Sequence, residues 1–126
     1  MVNMEIPIAG QSLSVESTEY ALVLGNDNGF EIQAEAPVEF ETPSGDKRRV
    51  AFDEEDHFDL DLNTFFSGKI ASAFTGSAGE LTILLESGNR ATVTTDEDYE
   101  SWTIVGPKGY RVVCMPGGEL ATWSPE

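Results

Sequence analysis

Between Phe30 and Glu41 the chain alternates with a period of two: Phe30, Ile32, Ala34, Ala36, Val38 and Phe40 hold one parity, while Glu31, Gln33, Glu35, Glu39 and Glu41 hold the other. Only an extended strand sends successive side chains to opposite faces, so the segment commits the chain to β structure with a core face and a carboxylate ladder. Pro37 falls on the polar parity and marks a bend or an edge, because proline donates nothing to a sheet ladder. Just upstream, Gly25-Asn26-Asp27-Asn28-Gly29 tolerates positive φ and predicts a hairpin turn. Its other arm, Tyr20-Ala21-Leu22-Val23-Leu24, is continuously apolar, the pattern of a central strand covered on both faces.

The remaining segments repeat this logic. Residues 4–8 predict a short edge strand confined by Pro7, and Ser12-Leu13-Ser14-Val15-Glu16 a half-buried one. Thr42-Pro43-Ser44-Gly45-Asp46 is a loop, and the basic run Lys47-Arg48-Arg49 after it compensates the acids between Asp53 and Asp61 rather than forming a phosphate site. Asp59-x-Asp61-x-Asn63 matches the first ligand positions of a calcium loop, but Thr64 and Ile70 stand where that loop needs glycine and glutamate, which excludes an EF-hand. The same aspartates can cap a short helix over about residues 59–66 that turns Leu62, Phe65 and Phe66 inward; residues 68–74 fit a continued helix or a strand, and Gly68 as a natural helix stop favours the strand. Leu81, Ile83 and Leu85 alternate up to Ser87-Gly88-Asn89, and Ala91 and Val93 answer them as a second hairpin. A helical turn is expected over 96–101, capped by Thr95 or Asp96. Three strands, Trp102–Val105, Tyr110–Cys114 and Leu120–Trp123, then form a meander through Gly106-Pro107-Lys108-Gly109 and Pro116-Gly117-Gly118.

This C-terminal stretch carries a pattern: Asp98-Tyr99-Glu100-x-Trp102, Gly106-Pro107, then Pro116-Gly117-Gly118-Glu119-x-Ala121-x-Trp123. In it the chain resembles a family of small acidic bacterial domains of unknown function. The likeness is specific over about the last quarter of the chain and loose before it, and it implies no activity and no catalytic residue.

Composition limits the functions further. At 126 residues the chain suits one domain, 1–126, able to bury about two-thirds of its unfolded surface without a disulfide or metal staple. Its 23 acids against 7 bases leave a formal charge of -16, a field that repels phosphate backbones and anionic lipid and draws in cationic partners. Cys114 is alone in an apolar run and reads as a small hydrophobe. The first residues lack the basic and apolar regions of a signal peptide, so a cytoplasmic location is expected. One His and one Cys do not suit zinc, no Ser has a nucleophile-elbow context, and the Gly-x-x-Gly segments lack the spacing and Lys of a P-loop.

These readings predict an α+β domain, mainly antiparallel β, as a twisted sheet or partly open barrel with one or two short helices. The expected function is that of a non-enzymatic, cofactor-free acidic binding protein, a monomer or weak dimer that engages a basic protein. An immunity-type protein that neutralises a basic toxin is the most concrete case. The alternatives are a small-molecule or cation-binding β domain and a homo-oligomeric structural protein. The residues expected to meet a partner are Glu31, Glu35, Glu39 and Glu41 on the ladder, Asp53, Glu54, Glu55 and Asp56 in the acidic segment, and the aromatics Tyr99 and Trp123.

Overall fold

A computed structural model of the chain describes residues 4–52 and 61–123. Two antiparallel sheets share one contiguous apolar core. The first is six-stranded, with strands β1 (Ser14–Ser17), β2 (Leu22–Gly25), β3 (Glu31–Ala34), β9 (Trp102–Val105), β10 (Arg111–Cys114) and β11 (Leu120–Trp123) adjacent in that order. The second is five-stranded, in the order β5 (Lys47–Val50), β4 (Val38–Glu41), β8 (Arg90–Val93), β7 (Leu81–Leu85) and β6 (Ile70–Thr75). One short helix, α1 (Leu62–Phe65), completes the described residues together with 3-10 turns at Pro107–Gly109 and Pro116–Gly118. The mainly antiparallel α+β fold is thus present, as two sheets and without barrel closure.

The alternating segment does not form one strand. Its even residues are buried along the whole run, but β3 belongs to the six-stranded sheet and β4 to the five-stranded one. The bend is at Pro37. The N–H groups of Glu35 and Ala36 both donate to the Ser101 carbonyl (2.9 and 3.0 Å), while the Pro37 carbonyl accepts from the N–H and hydroxyl of Thr94 (3.0 and 2.9 Å). The chain therefore turns a corner between sheets without losing its core parity, and every backbone donor freed by the bend has a partner. The expected ladder is broken in two at this corner.

Two further expectations need correction. The apolar run from Tyr20 to Leu24 is not the central strand: β2 lies next to the edge strand β1, the centre belongs to β3 and β9, and Tyr20 is exposed in the left-handed region (φ 68°). Residues 96–101 form a bend rather than a helical turn. The Asp96 carboxylate accepts the Asp98 N–H (2.7 Å), the Asp96 N–H donates to Ser101 Oγ (2.8 Å), and the Asp96 carbonyl accepts from Gly117 (2.8 Å). A short acidic side chain that satisfies nearby donors competes with the helix it was expected to start.

The other helix does form, within the described residues. Asp61 caps it by accepting the Thr64 N–H (3.2 Å) and hydroxyl (2.8 Å), and these bonds hold its carboxyl below the usual aspartate range, the hydroxyl contributing most. Leu62, Phe65 and Phe66 turn inward, and Gly68 (φ 86°) ends the turn. Phe65 and Phe66 meet Phe40 of β4 edge-to-face, with centroids 5.0 and 6.1 Å away, which fastens the helix to the five-stranded sheet.

The tail signature ties the sheets together at the opposite end. Trp102 is fully buried and donates its Nε1–H to the Gly79 carbonyl (3.0 Å), which also accepts from Cys114 Sγ (3.4 Å). Gly79 lies in the β6–β7 turn, so a residue of one sheet is bonded to a turn of the other. Gly118 touches that turn backbone to backbone: a Cβ on Gly118 would overlap the Ala78 carbonyl oxygen, and one on Gly79 would overlap Gly118 itself. The tryptophan and the second glycine of the Pro-Gly-Gly motif are therefore architectural residues.

Candidate partner-binding face

Residues paired across an antiparallel ladder share a face, which lets the outer surface of each sheet be read from its register. On the five-stranded sheet, Glu39 stands opposite Arg49 and Thr92, and Glu41 opposite Lys47 and Arg90. The basic run is thus strand β5, and it meets the glutamates of β4. Opposite charges at such positions contribute about 0.2–1 kcal/mol each. This half of the ladder carries its own counter-charges.

The outer face of the six-stranded sheet differs. One row runs Glu31, Val105, Arg111, Trp123 across four adjacent strands, and a second runs Val23, Gln33, Thr103, Val113, Ala121. The large apolar side chains left exposed among the described residues are Tyr20, Tyr99, Val105, Met115 and Trp123. Val105 and Trp123 lie in the first row, and Met115 continues the outward parity of Arg111 and Val113. Tyr20 and Tyr99 border a shallow hollow with Ala21, Gln33 and Glu35 at the other end of the face. A second hollow, next to the last strand, is lined by Val105, Gly106, Gly109, Tyr110, Arg111 and Trp123. One outer face therefore gathers every exposed large apolar side chain of the described residues, and the other does not.

Electrostatics and packing set the character of this face. Glu31 is exposed, and Gln33 Nε2 donates to Glu35 Oε1 (3.2 Å), which holds the second carboxylate at the rim of the tyrosine hollow. The Arg111 guanidinium carbon sits 5.4 Å from the centroid of the Trp123 ring, a cation–π contact that fixes a side chain still 50 % exposed. Tyr110 packs its ring edge-to-face on Phe30 (5.9 Å), and burial pushes its hydroxyl up from the ordinary tyrosine value. Cys114 faces the core; burial is the main reason its thiol is also pushed up, with Glu80 adding to the effect and a bond from Ser101 opposing it. A thiol so placed is a packing group.

The residues expected to bind a partner thus divide into three sets. Glu31, Glu35, Tyr99 and Trp123 share the outer side of the six-stranded sheet. Glu39 and Glu41 lie on the other sheet beside cations, and Asp53, Glu54, Glu55 and Asp56 lie outside the described residues. Tyr20, Val105, Arg111 and Met115 join the face without having been expected there. The signal for three of them was present in the sequence, since Val105, Arg111 and Met115 hold the parity opposite to the buried Ile104, Val112 and Cys114. Among the described residues no cluster of His, Cys, Asp and Glu is placed to hold a metal ion, and no helix is long and apolar enough to cross a membrane.

Fold and face together define a two-sheet β protein with one mixed aromatic and acidic surface. The chain belongs to a family of unknown function, DUF6188, whose model matches residues 4–124. No curated protein matches the chain, and no solved structure does.

Proposed function

We propose that the protein is a non-enzymatic acidic binding protein of the cytoplasm. It engages a basic protein through the outer face of its six-stranded sheet, and immunity-type neutralisation of a cationic toxin is its most concrete form. The observation that carries this reading is the contrast between the two outer faces. One pairs its glutamates with lysine and arginine across strands, whereas the other brings Glu31 and Glu35 together with Tyr20, Tyr99, Met115 and Trp123. Tyrosine, tryptophan, methionine and arginine are the residues enriched in the buried centres of protein interfaces, while carboxylates at the margin steer a cationic partner and raise its on-rate. A net charge of -16 extends that steering over the whole molecule. The test is affinity capture from the native cell extract at low salt. The expected result is a basic protein that is released as ionic strength rises, and an eluate with no cationic protein in it would count against the reading.

A further inference from the structure

A two-sheet protein has four edge strands, and each offers unpaired backbone groups to other chains unless it is protected. Three are protected here. β6 is lined by residues 4–11, through bonds from Thr75 to the Met4 carbonyl, from Ile6 to the Ala73 carbonyl and from Ile70 to the Gln11 carbonyl (each 2.8 Å). β5 carries Lys47, Arg48 and Arg49 in succession, and charge on an edge discourages strand pairing. β1 is interrupted between Val15 and Ser17, where its register with β2 shifts, and α1 contacts it. Among the described residues β11 has none of these devices. It pairs with β10 in unbroken register over Leu120–Trp123 and contains no charge and no proline.

Which groups β11 offers follows from its hairpin. Met115 N–H donates to the Glu119 carbonyl (2.7 Å), so Glu119 faces β10. By the alternation of an antiparallel ladder, Ala121 and Trp123 also face β10, and Leu120 and Thr122 turn their N–H and C=O outward. Neither has another backbone partner among the described residues. Leu120 is only half-buried against the core, and Trp123 stands on the outer face at this same edge.

We infer that β11 is a docking strand, to which an extended cationic segment of a partner protein adds as a seventh strand of the sheet. The inference rests on the basic-partner reading given above and specifies how that partner is held. Main-chain bonds to Leu120 and Thr122 supply affinity, and the net charge of -16 selects a cationic strand. A second copy fits the edge poorly. Two chains that each carry a net charge of -16 repel each other, whereas a cationic segment is drawn to the same edge.

Residue-resolved amide exchange tests this on the whole chain, with a synthetic peptide alternating Lys and Val as the probe and its Glu–Val counterpart as control. In the free protein Leu120 and Thr122 exchange about tenfold or more faster than Ala121 and Trp123. The Lys–Val peptide slows both edge amides about tenfold, and Thr122→Pro, which deletes only an outward N–H, abolishes the effect while the melting temperature stays near that of the parent. Thr122→Lys, an edge charge that keeps the backbone intact, does the same. Edge amides already as slow as Ala121 in the free protein would overturn the inference. So would equal slowing by the Glu–Val peptide, or slowing by self-association with no peptide present. If the Lys–Val peptide binds but leaves both amides fast, strand addition fails while the basic-partner reading stands; if it does not bind at all, both fail.

Discussion

Gly117 and Gly118 are neighbours with similar backbone angles, φ 84° and 94°, and yet alanine at the two positions is expected to behave very differently. A left-handed conformation costs a side-chain-bearing residue about 1–2 kcal/mol, of which the stiffer unfolded chain returns about 0.4–1 kcal/mol. At Gly117 nothing lies within 4 Å of the added methyl, so Gly117→Ala is expected to cost about 1 kcal/mol. At Gly118 the methyl overlaps the Ala78 carbonyl oxygen, a backbone atom that cannot swing aside. Relief requires the Pro-Gly-Gly turn and the β6–β7 turn to part by about an ångström. That stretches the 3.0 Å bond from Trp102 Nε1 to Gly79 and leaves a buried indole N–H unpaired, a further cost of about 1–3 kcal/mol. With an unfolding entropy near 2.1 cal/mol/K per residue over 126 residues, each kcal/mol lowers the melting temperature by about 4 °C, so Gly118→Ala should melt about 4–12 °C below Gly117→Ala. Calorimetry on the two variants measures this, and the indole N–H resonance of Trp102 reports the broken bond directly. Melting temperatures within about 2 °C of each other, with the Trp102 N–H still protected, would refute the idea that this contact ties the sheets together.

Other expectations follow from the same geometry. Replacing Glu39 and Glu41 together by Gln removes cross-strand partners of Arg49, Lys47 and Arg90 and should lower stability by about 1 kcal/mol in urea melts, whereas Glu31→Gln with Glu35→Gln should leave it unchanged or raise it. Asp61 has a folded pKa below its ordinary value, so its capping contribution is complete above that ordinary value and is lost as pH falls through the lower one. Melting temperature followed from pH 5 downward, about the range over which aspartates protonate, should therefore fall less steeply in Asp61→Asn than in the parent, and parallel curves would contradict the cap. The Cys114 thiol, fully buried with its pKa raised, should resist alkylation near pH 8, about the ordinary thiol range, until denaturant unfolds the protein; rapid labelling of the native form would be inconsistent with its place in the core.

Most strands were legible in the sequence because their signals are local. The alternations of 30–41 and 81–93, the glycine and asparagine turns and the helix stop at Gly68 need only a few neighbouring residues to act. What could not be read depends on distant groups. The assignment of β3 and β4 to different sheets is fixed where Glu35 and Ala36 find the Ser101 carbonyl and Pro37 finds Thr94, and the bend at 97–99 is held partly by Gly117. The counter-charges of Glu39 and Glu41 are local, since a loop over 42–46 folds Lys47 and Arg49 back onto them, but the acids between Asp53 and Asp61 offer the basic run a second set of partners equally near in sequence. Tyr99 and Trp123 were recognisable from the sequence as candidate contact aromatics. Their common face with Glu31 and Glu35 emerges only when two separated parts of the chain, 14–34 and 102–123, assemble one sheet. The openness of β11 becomes apparent only by comparison with the other three edges.

The central claim is that the outer face of the six-stranded sheet, and not that of the five-stranded sheet, meets a basic partner. Its most direct test is the association rate of the captured basic protein, measured across a range of salt with two charge-matched variants, Glu31→Gln with Glu35→Gln and Glu39→Gln with Glu41→Gln. Each variant loses the same formal charge, so only position differs. The account predicts that the first pair slows association by a factor of about two to ten at low salt and flattens its salt dependence, while the second pair leaves both close to those of the parent. Equal effects of the two pairs, or a larger effect of the second, would contradict it.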